Sequence, residues 1–185
     1  MVKLMLTDSR LVEQARNGDR RAYEELVRRH QDRVFRFALY MLPSWQDAED
    51  VSQDTFVEAY KGLKRFRGDA SFGTWILAIA RTRIAYWYRS RRPEDPVDEV
   101  PEIPVGGSGS SLITQMEIRS AVARLPETYR EIIVLKYVNE LDMQEIAAAT
   151  GLSLTAVGVR LHRARNMLRT ALSPVVREEE CYDEM

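Results

Sequence analysis

Cysteine and histidine are nearly missing from this sequence of 185 residues. Cys181 is the only cysteine, so no disulfide can form within the chain, which is typical of proteins in a reducing cytosol. His30 and His162 are the only histidines and stand far apart. We therefore expect no metal centre and no cofactor. No catalytic dyad is visible either, so we expect that the chain alone is not an enzyme.

Long apolar runs are also missing. No stretch of 18 apolar residues occurs, so we expect no membrane helix and no direct insertion into a membrane. The N-terminal residues show no long apolar run behind a basic region, so a signal peptide is not expected. These features together predict a cytoplasmic protein.

The formal net charge of −1 hides a strong segregation of charge. Residues 1–92 carry 18 basic and 12 acidic groups, and residues 112–185 carry 9 and 11. Residues 93–111 hold five acids, no base, four prolines and three glycines. So little apolar surface cannot offset the entropy of ordering, which predicts a flexible acidic linker between two domains. We expect domains at 1–92 and 112–176, with an acidic tail at 177–185.

Apolar residues recur at spacings of three and four on both sides of this linker, which predicts an all-α fold of two small helical domains. We expect helices from Thr7 or Asp8, from Arg20 to Leu42, and from Asp47 to Leu63. The third of these is one-sided: it carries five acids before its first base. They are Asp47, Glu49, Asp50, Asp54 and Glu58. A solvated helix face is the simplest interpretation of such a run.

Residues Lys61 to Arg92 interleave nine lysines or arginines with six aromatic residues, against the single acid Asp69. Cations neutralise phosphates and aromatic faces stack on unpaired bases, so this pattern indicates single-stranded or partly melted nucleic acid. Trp75, Ile76 and Ile79 fall at helical spacing, however, and such a stripe is usually core. We expect one buried face and one face that binds nucleic acid.

A helix-turn-helix is predicted near the C-terminus. Asp142 and Glu145 form a capping-box pattern, Gly151 ends the short helix, and Ser153 can cap the next one. We expect Leu154, Val157, Leu161, Ala164 and Leu168 to face inward. The same helix carries four arginines and no acid up to Leu172, which favours DNA binding over a plain packing unit.

Two segments carry a family resemblance that spans about residues 8 to 172. The later one is LPETYREIIVLKYVNELDMQEIAAATGLSLTAVGVRLHRARNMLRTAL, and it resembles region 4 of the extracytoplasmic-function (ECF) sigma factors of bacterial RNA polymerase. The earlier one is DAEDVSQDTFVEAYKGLKRFRGDASFGTWILAIARTRIAYWYRSRR, and it resembles region 2 of the same family. The resemblance implies an alternative sigma factor that binds core polymerase and directs promoter recognition and transcription initiation.

The resemblance also implies roles for individual residues. Docking on the β′ clamp helices would use Asp47, Glu49, Asp50, Gln53, Asp54 and Phe56. Binding near the promoter −10 element would use Gly62, Lys64, Arg65, Phe66, Arg67, Arg81, Thr82, Arg83, Tyr86 and Arg89. Binding at the −35 element would use Ser153, Thr155, Gly158, Val159, Arg160, His162, Arg163 and Arg165. Trp75 matches the family's region 2 tryptophan, and we expect it to be structural rather than stacked on a base.

Three positions depart from the family pattern. Thr82 stands where asparagine is usual, Tyr86 where aspartate is usual, and Gly158 where lysine or arginine is usual. The resemblance further implies the polymerase β flap and an anti-sigma factor as partners, the latter able to hold the chain at a membrane. Two alternatives remain: a stand-alone helix-turn-helix regulator, and a sigma-like protein that sequesters a regulator.

Overall fold

Four helices make up the N-terminal half of the computed structural model, which describes residues 7–90 and 117–180. They are α1 (Asp8–Arg16), α2 (Arg20–Met41), α3 (Trp45–Gly62) and α4 (Phe72–Ser90), and a 3₁₀ turn (Leu63–Arg65) follows α3. The predicted helices are thus confirmed nearly to the residue. The predicted linker at 93–111 lies outside the described residues.

The core of this half lies where α2, α3 and α4 meet. Leu26, Val34, Phe37, Ile76 and Leu77 are fully buried there. Burying each of these side chains stabilises the fold by about 1.5–3 kcal/mol, which is why the apolar stripes predicted the arrangement well. The all-α prediction is confirmed.

Local capping residues set where these helices begin. Pro43 interrupts the chain after α2, and Ser44 then accepts a hydrogen bond from the Asp47 amide at 3.0 Å, which caps α3. Ser71 caps α4 in the same way through the Thr74 amide at 3.1 Å. The residue before α1 is Thr7, whose side chain makes no capping bond.

His30 lies on the inner side of α2, where its side chain is largely buried. Its Nε2 lies 2.6 Å from Oδ2 of Asp8, and its ring packs 5.2 Å from that of Phe72. The histidine therefore fastens α1 to α2 and touches α4.

The C-terminal half consists of a helix over 117–123 (α5), α6 (Glu127–Ile133), α7 (Met143–Thr150) and α8 (Leu154–Glu180). Pro126 occupies the position before α6. A five-residue π-turn (Val134–Val138) extends α6, with the Asn139 amide bonded to the Val134 carbonyl at 3.0 Å. The sequence pattern did not predict this widening.

The predicted capping box and turn of the helix-turn-helix are confirmed. Asp142 and Glu145 form both bonds of a capping box around the start of α7. Gly151 ends α7 with φ of 72°, a left-handed conformation that suits glycine. The prediction that Leu154 faces inward was wrong: it is 50% exposed, because the first residue of α8 precedes the turn that packs against α7.

The two halves pack against each other, which the sequence did not predict. The Arg33 Nη2 group donates to the Asn139 carbonyl at 2.7 Å, and the Asn139 side chain returns a bond to the Arg33 carbonyl at 2.9 Å. Arg119 in α5 is buried and donates to the Leu39 carbonyl at 3.0 Å. Helix α4 lies along α7 in the same interface.

Candidate polymerase and nucleic-acid interfaces

An exposed acidic face lies on α3. Glu49 and Asp50, then Gln53 and Asp54 one turn later, project to the same side and are all exposed. We call these four residues the acidic face. Asp54 is 2.7 Å from Nη2 of Arg83 on α4, an exposed pair that links this face to the next surface.

Asp47 does not belong to the acidic face, although its sequence position placed it there. The residue is only 7% exposed, and its carboxylate accepts hydrogen bonds from the Ser44 hydroxyl and from Nε1 of Trp87 at 3.1 Å. Because the first turn of α3 packs against the end of α4, this acid fastens the two helices together. We correct its predicted role from docking to structure.

An apolar groove on α2 and α3 adjoins the acidic face. Phe56 is itself buried, but it lines two adjoining depressions of about 450 and 340 Å³. Glu49 and Gln53 contribute to the larger depression. Phe56 therefore forms the floor between the two depressions.

The second depression contains residues that sequence reasoning did not assign to a site. Tyr23, Val57 and Tyr60 line it, and the rings of the two tyrosines pack 4.9 Å apart, edge to face. The Tyr23 hydroxyl donates to the Phe56 carbonyl at 2.5 Å, and burial raises the pKa of Tyr23 above its ordinary value. Val57 and Tyr60, two exposed hydrophobic residues three apart at the end of α3, were the available signal.

The aromatic residues of the basic stretch divide into a buried and an exposed group. Phe66 is only 8% exposed, and its ring lies 4.8 Å from Trp75, which also packs against Phe72. A Cβ added to Gly62 would meet the Trp75 ring at 3.6 Å. Trp75 is structural, as expected, but Phe66 is structural too, so its predicted contact with DNA needs correction.

A strip on the outer side of α4 carries four of the predicted residues, which we call the basic strip: Thr82, Arg83, Tyr86 and Arg89. All of them are exposed except Arg83, which is half-buried. Tyr86 is 54% exposed, and the Arg83 guanidinium lies over its ring at 4.9 Å. The Thr82 hydroxyl donates to the Ala78 carbonyl at 3.0 Å, so its donor is engaged within the helix. Three further predicted residues are exposed before α4, and they are Lys64, Arg65 and Arg67.

Arg81 lies on the same helix but faces the C-terminal half. Its Nε is 2.5 Å from Oε1 of Glu131 on α6. The Arg81 side chain remains 45% exposed, whereas that of Glu131 is only 8% exposed. Burial raises the pKa of Glu131, although Arg81 acts in the opposite direction. Arg81 is therefore engaged in an ion pair, apart from the basic strip.

Helix α8 presents its outer side to solvent. Ser153 accepts a hydrogen bond from the Ala156 amide at 3.2 Å, and Val157, Leu161 and Ala164 anchor the inner side. The predicted residues on the exposed side are Ser153, Thr155, Val159, His162, Arg163 and Arg165. The Arg165 Nε donates to the Tyr137 hydroxyl at 2.6 Å.

Gly158 and Arg160 are placed differently from the other −35 residues. A Cβ on Gly158 would lie 3.6 Å from the Met143 methyl group, so this glycine faces α7. Arg160 is half-buried and close enough to Glu131 to lower the pKa of that acid. Neither residue lies on the outermost side of α8.

Within residues 7–90 and 117–180, no three metal-binding side chains come together. Over the same range, no helix is both long and apolar enough to cross a membrane.

Comparison with known proteins finds two matching families along the chain. Sigma-70 region 2 matches residues 26–94, and sigma-70 region 4 matches residues 115–168. The ECF RNA polymerase sigma-E factor of Escherichia coli strain K12 is 35% identical, over 93% of this chain and 97% of its own. The RNA polymerase sigma-H factor of Pseudomonas aeruginosa is 30% identical, over 92% and 96%.

A solved structure shares both sequence and fold. It is CnrH in complex with the cytosolic domain of CnrY, with a TM-score of 0.73 and 31% identity. The match covers 90% of this chain and 97% of CnrH.

Proposed function

The chain belongs to the ECF sigma factors of the sigma-70 family, and we propose that it binds core RNA polymerase through α3 while α4 and α8 bind promoter DNA. One observation supports this assignment of the two kinds of binding to different helices: surfaces of opposite charge lie on the same chain. The acidic face is unsuited to DNA because its carboxylates repel phosphates. A stand-alone DNA-binding regulator would need α8 alone, so that alternative leaves the acidic face and its groove without a role.

The acidic face and the groove fit a basic helical partner with apolar side chains. Glu49, Asp50 and Gln53 supply charge and hydrogen-bond acceptors, and the depressions on either side of Phe56 accept apolar groups. We assign this partner to the β′ clamp helices of polymerase, and we assign the β flap to the C-terminal half.

The basic strip suits the melted −10 strand. Arg83 and Arg89 can neutralise phosphates, and the exposed ring of Tyr86 can stack on an unpaired base. Thr82 stands at the position of the base pocket, where a hydroxyl offers fewer bonding groups than an amide.

The exposed side of α8 suits the −35 duplex. Thr155 and Val159 lie in its first turns, where a helix in the major groove meets base edges. His162, Arg163 and Arg165 follow and can hold phosphates.

Regulation by an anti-sigma factor is part of the proposal. Its support is the relative CnrH, which was solved in complex with the cytosolic domain of another protein. We propose that this chain acts in the cytoplasm and is held inactive there by a comparable partner.

The test of docking is the double variant Glu49→Lys with Asp50→Lys. It places two cations opposite a basic partner, so we expect loss of co-purification with core polymerase while helicity by circular dichroism stays unchanged. It leaves Asp54 and its pair with Arg83 intact. The matched control is Glu13→Lys with Glu140→Lys, which makes the same charge change at two exposed sites elsewhere.

Wild-type yield of polymerase with the double variant would refute the docking assignment. The function itself is tested by incubating core polymerase and the purified protein with genomic DNA and sequencing transcript 5′ ends. We expect new start sites that share upstream elements. Binding to duplex DNA without any new transcripts would instead favour the stand-alone regulator.

A further inference from the structure

The outermost side chain in the first turns of α8 is apolar. Successive residues of an α-helix are rotated by about 100°, and Val157, Leu161 and Ala164 define the buried side of this helix. Val159 lies opposite these three residues and is 46% exposed. A recognition helix enters the major groove with the side that faces away from its own domain, so Val159 reaches deepest into the groove.

The residues around Val159 offer few hydrogen-bonding groups to base edges. Thr155, one turn earlier, is exposed and carries a hydroxyl and a methyl group. Gly158 has no side chain and faces α7. Bidentate bonds to guanine and adenine are made by Arg, Lys, Asn or Gln, and residues 153–159 contain none of these. The first turns of α8 therefore lack the side chains that read purines in this way.

The next turns of α8 do not supply such a side chain at this point of the groove. Asn166 is exposed, but its Nδ2 lies 3.2 Å from Nε2 of His162, and its Oδ1 accepts from Arg169. Since an amide nitrogen only donates, Nε2 of the neutral His162 ring accepts, and the ring proton is on Nδ1. A single ring donor can bond to O4 of thymine or to N7 of either purine, so it does not select guanine over adenine.

We propose that Val159 selects thymine in the −35 element, through contact of its two methyl groups with the C5 methyl group of one thymine. Thymine is the base that presents a methyl group in the major groove, and apolar side chains are the partners of that group. Arg163 and Arg165 hold phosphates in the proposed complex, which fixes the register of α8 but carries no sequence information. The inference rests on the proposed function and names a base that its −35 surface takes.

The test uses holoenzyme assembled from core polymerase and the full chain. Promoter fragments come from the start sites found by transcript sequencing, and selection from a randomised −35 segment identifies its thymines. Each thymine is then replaced in turn by deoxyuridine, which removes the methyl group and keeps the base pairing. Burying one methyl group corresponds to about fourfold in affinity, so we expect about fourfold weaker competition binding when one particular thymine is replaced.

Two variants assign the methyl contact to its residue. Val159→Ala removes both methyl groups and keeps α8, since alanine is the better helix former. Thymine and uracil at the sensitive position should then bind equally well. Met167→Ala is the matched control, since it shortens another apolar side chain of α8 that is 40% exposed and about two turns further on. In this control the fourfold difference between thymine and uracil should remain.

A converse measurement returns the methyl group on a different base. With cytosine at the sensitive position, wild-type holoenzyme should bind less tightly than with thymine. Replacing that cytosine by 5-methylcytosine should raise the affinity of wild type by about fourfold and leave that of Val159→Ala unchanged.

Equal binding of thymine and uracil at every position of the element would overturn the proposal, and this result needs no variant to fold. A uracil effect that persists in Val159→Ala would overturn it too, because the methyl group would then contact another residue. If holoenzyme starts transcripts under either result, only the base assignment is wrong. If it starts none, the proposed function fails, and this inference fails with it.

Discussion

Asp47 offers the sharpest test of the geometry, because its sequence position predicts a docking role whereas its surroundings in the structure indicate a role in folding. As a docking residue it would be dispensable for folding. In the structure its carboxylate accepts from Trp87, across the junction of α3 and α4, and from Ser44 at the start of α3. Replacing it with alanine removes both of these hydrogen bonds to a charged group.

The expected cost follows from these contacts. A hydrogen bond to a charged group is worth about 1.5–3 kcal/mol, and we expect Asp47→Ala to lower the free energy of unfolding by about 2–3 kcal/mol. Each kcal/mol shifts the melting temperature of a chain of this size by about 2–4 °C, so the midpoint should fall by about 4–12 °C. Asp47→Asn keeps an acceptor and should cost about half as much.

The assay is urea unfolding followed by circular dichroism, with Asp50→Ala as the matched control. Asp50 is exposed and accepts a long bond from Gln46 at 3.3 Å, so its removal should change stability by less than about 0.5 kcal/mol. At a temperature where wild type and Asp47→Asn are both folded, Asp47→Asn should still bind polymerase. Equal stability of Asp47→Ala and Asp50→Ala would refute the assignment of Asp47 to the core.

Three further predictions use single sites. Gly151→Ala should destabilise the chain by about 1–2 kcal/mol, because alanine is strained at φ of 72°. Gly158→Ala should instead stabilise the chain by up to about 1 kcal/mol. Thermal melts in which both variants shift the melting temperature in the same direction would contradict this pair of predictions. Thr82→Asn should change which −10 base is preferred more than the overall affinity, measured by competition among −10 variants; a uniform effect would argue against a pocket. Hydrogen bonds from two arginines lower the pKa of Glu25 from 4.5 to about 2. The stability difference between wild type and Glu25→Gln, measured by urea titration, should therefore be present above pH 4.5 and vanish as the pH falls toward 2. A difference that does not depend on pH would show that these hydrogen bonds are not its cause.

Much of the fold could be predicted because its determinants are local. The capping box at Asp142 and the left-handed turn at Gly151 depend on residues within one helical turn, and both appear in the structure as expected. The apolar stripe of α2 depends only on helical period, so its buried side followed from spacing. The ends of these helices and their buried sides could therefore be predicted from local sequence patterns.

The errors concern residues whose role depends on a distant partner. Asp47 was placed outside because its position in the acid run could not reveal Trp87, which lies 40 residues away. Phe66 was assigned to DNA because it matches a family position near the −10 element, yet Trp75 packs on its ring. The bonds between Arg33 and Asn139 span 106 residues, and no periodicity predicts such a pair.

The two ion pairs near the basic strip differ in exposure, and this difference decides which surface is available first. Asp54 is 58% exposed, so its pair with Arg83 is worth only about 0–1 kcal/mol and can be exchanged for a polymerase contact or a phosphate without rearranging the helices. Glu131 is buried, so parting it from Arg81 requires water to enter between α4 and α6. The acidic face can therefore dock on a partner while the two halves are still packed. Full exposure of Arg81 would instead require the two halves to separate.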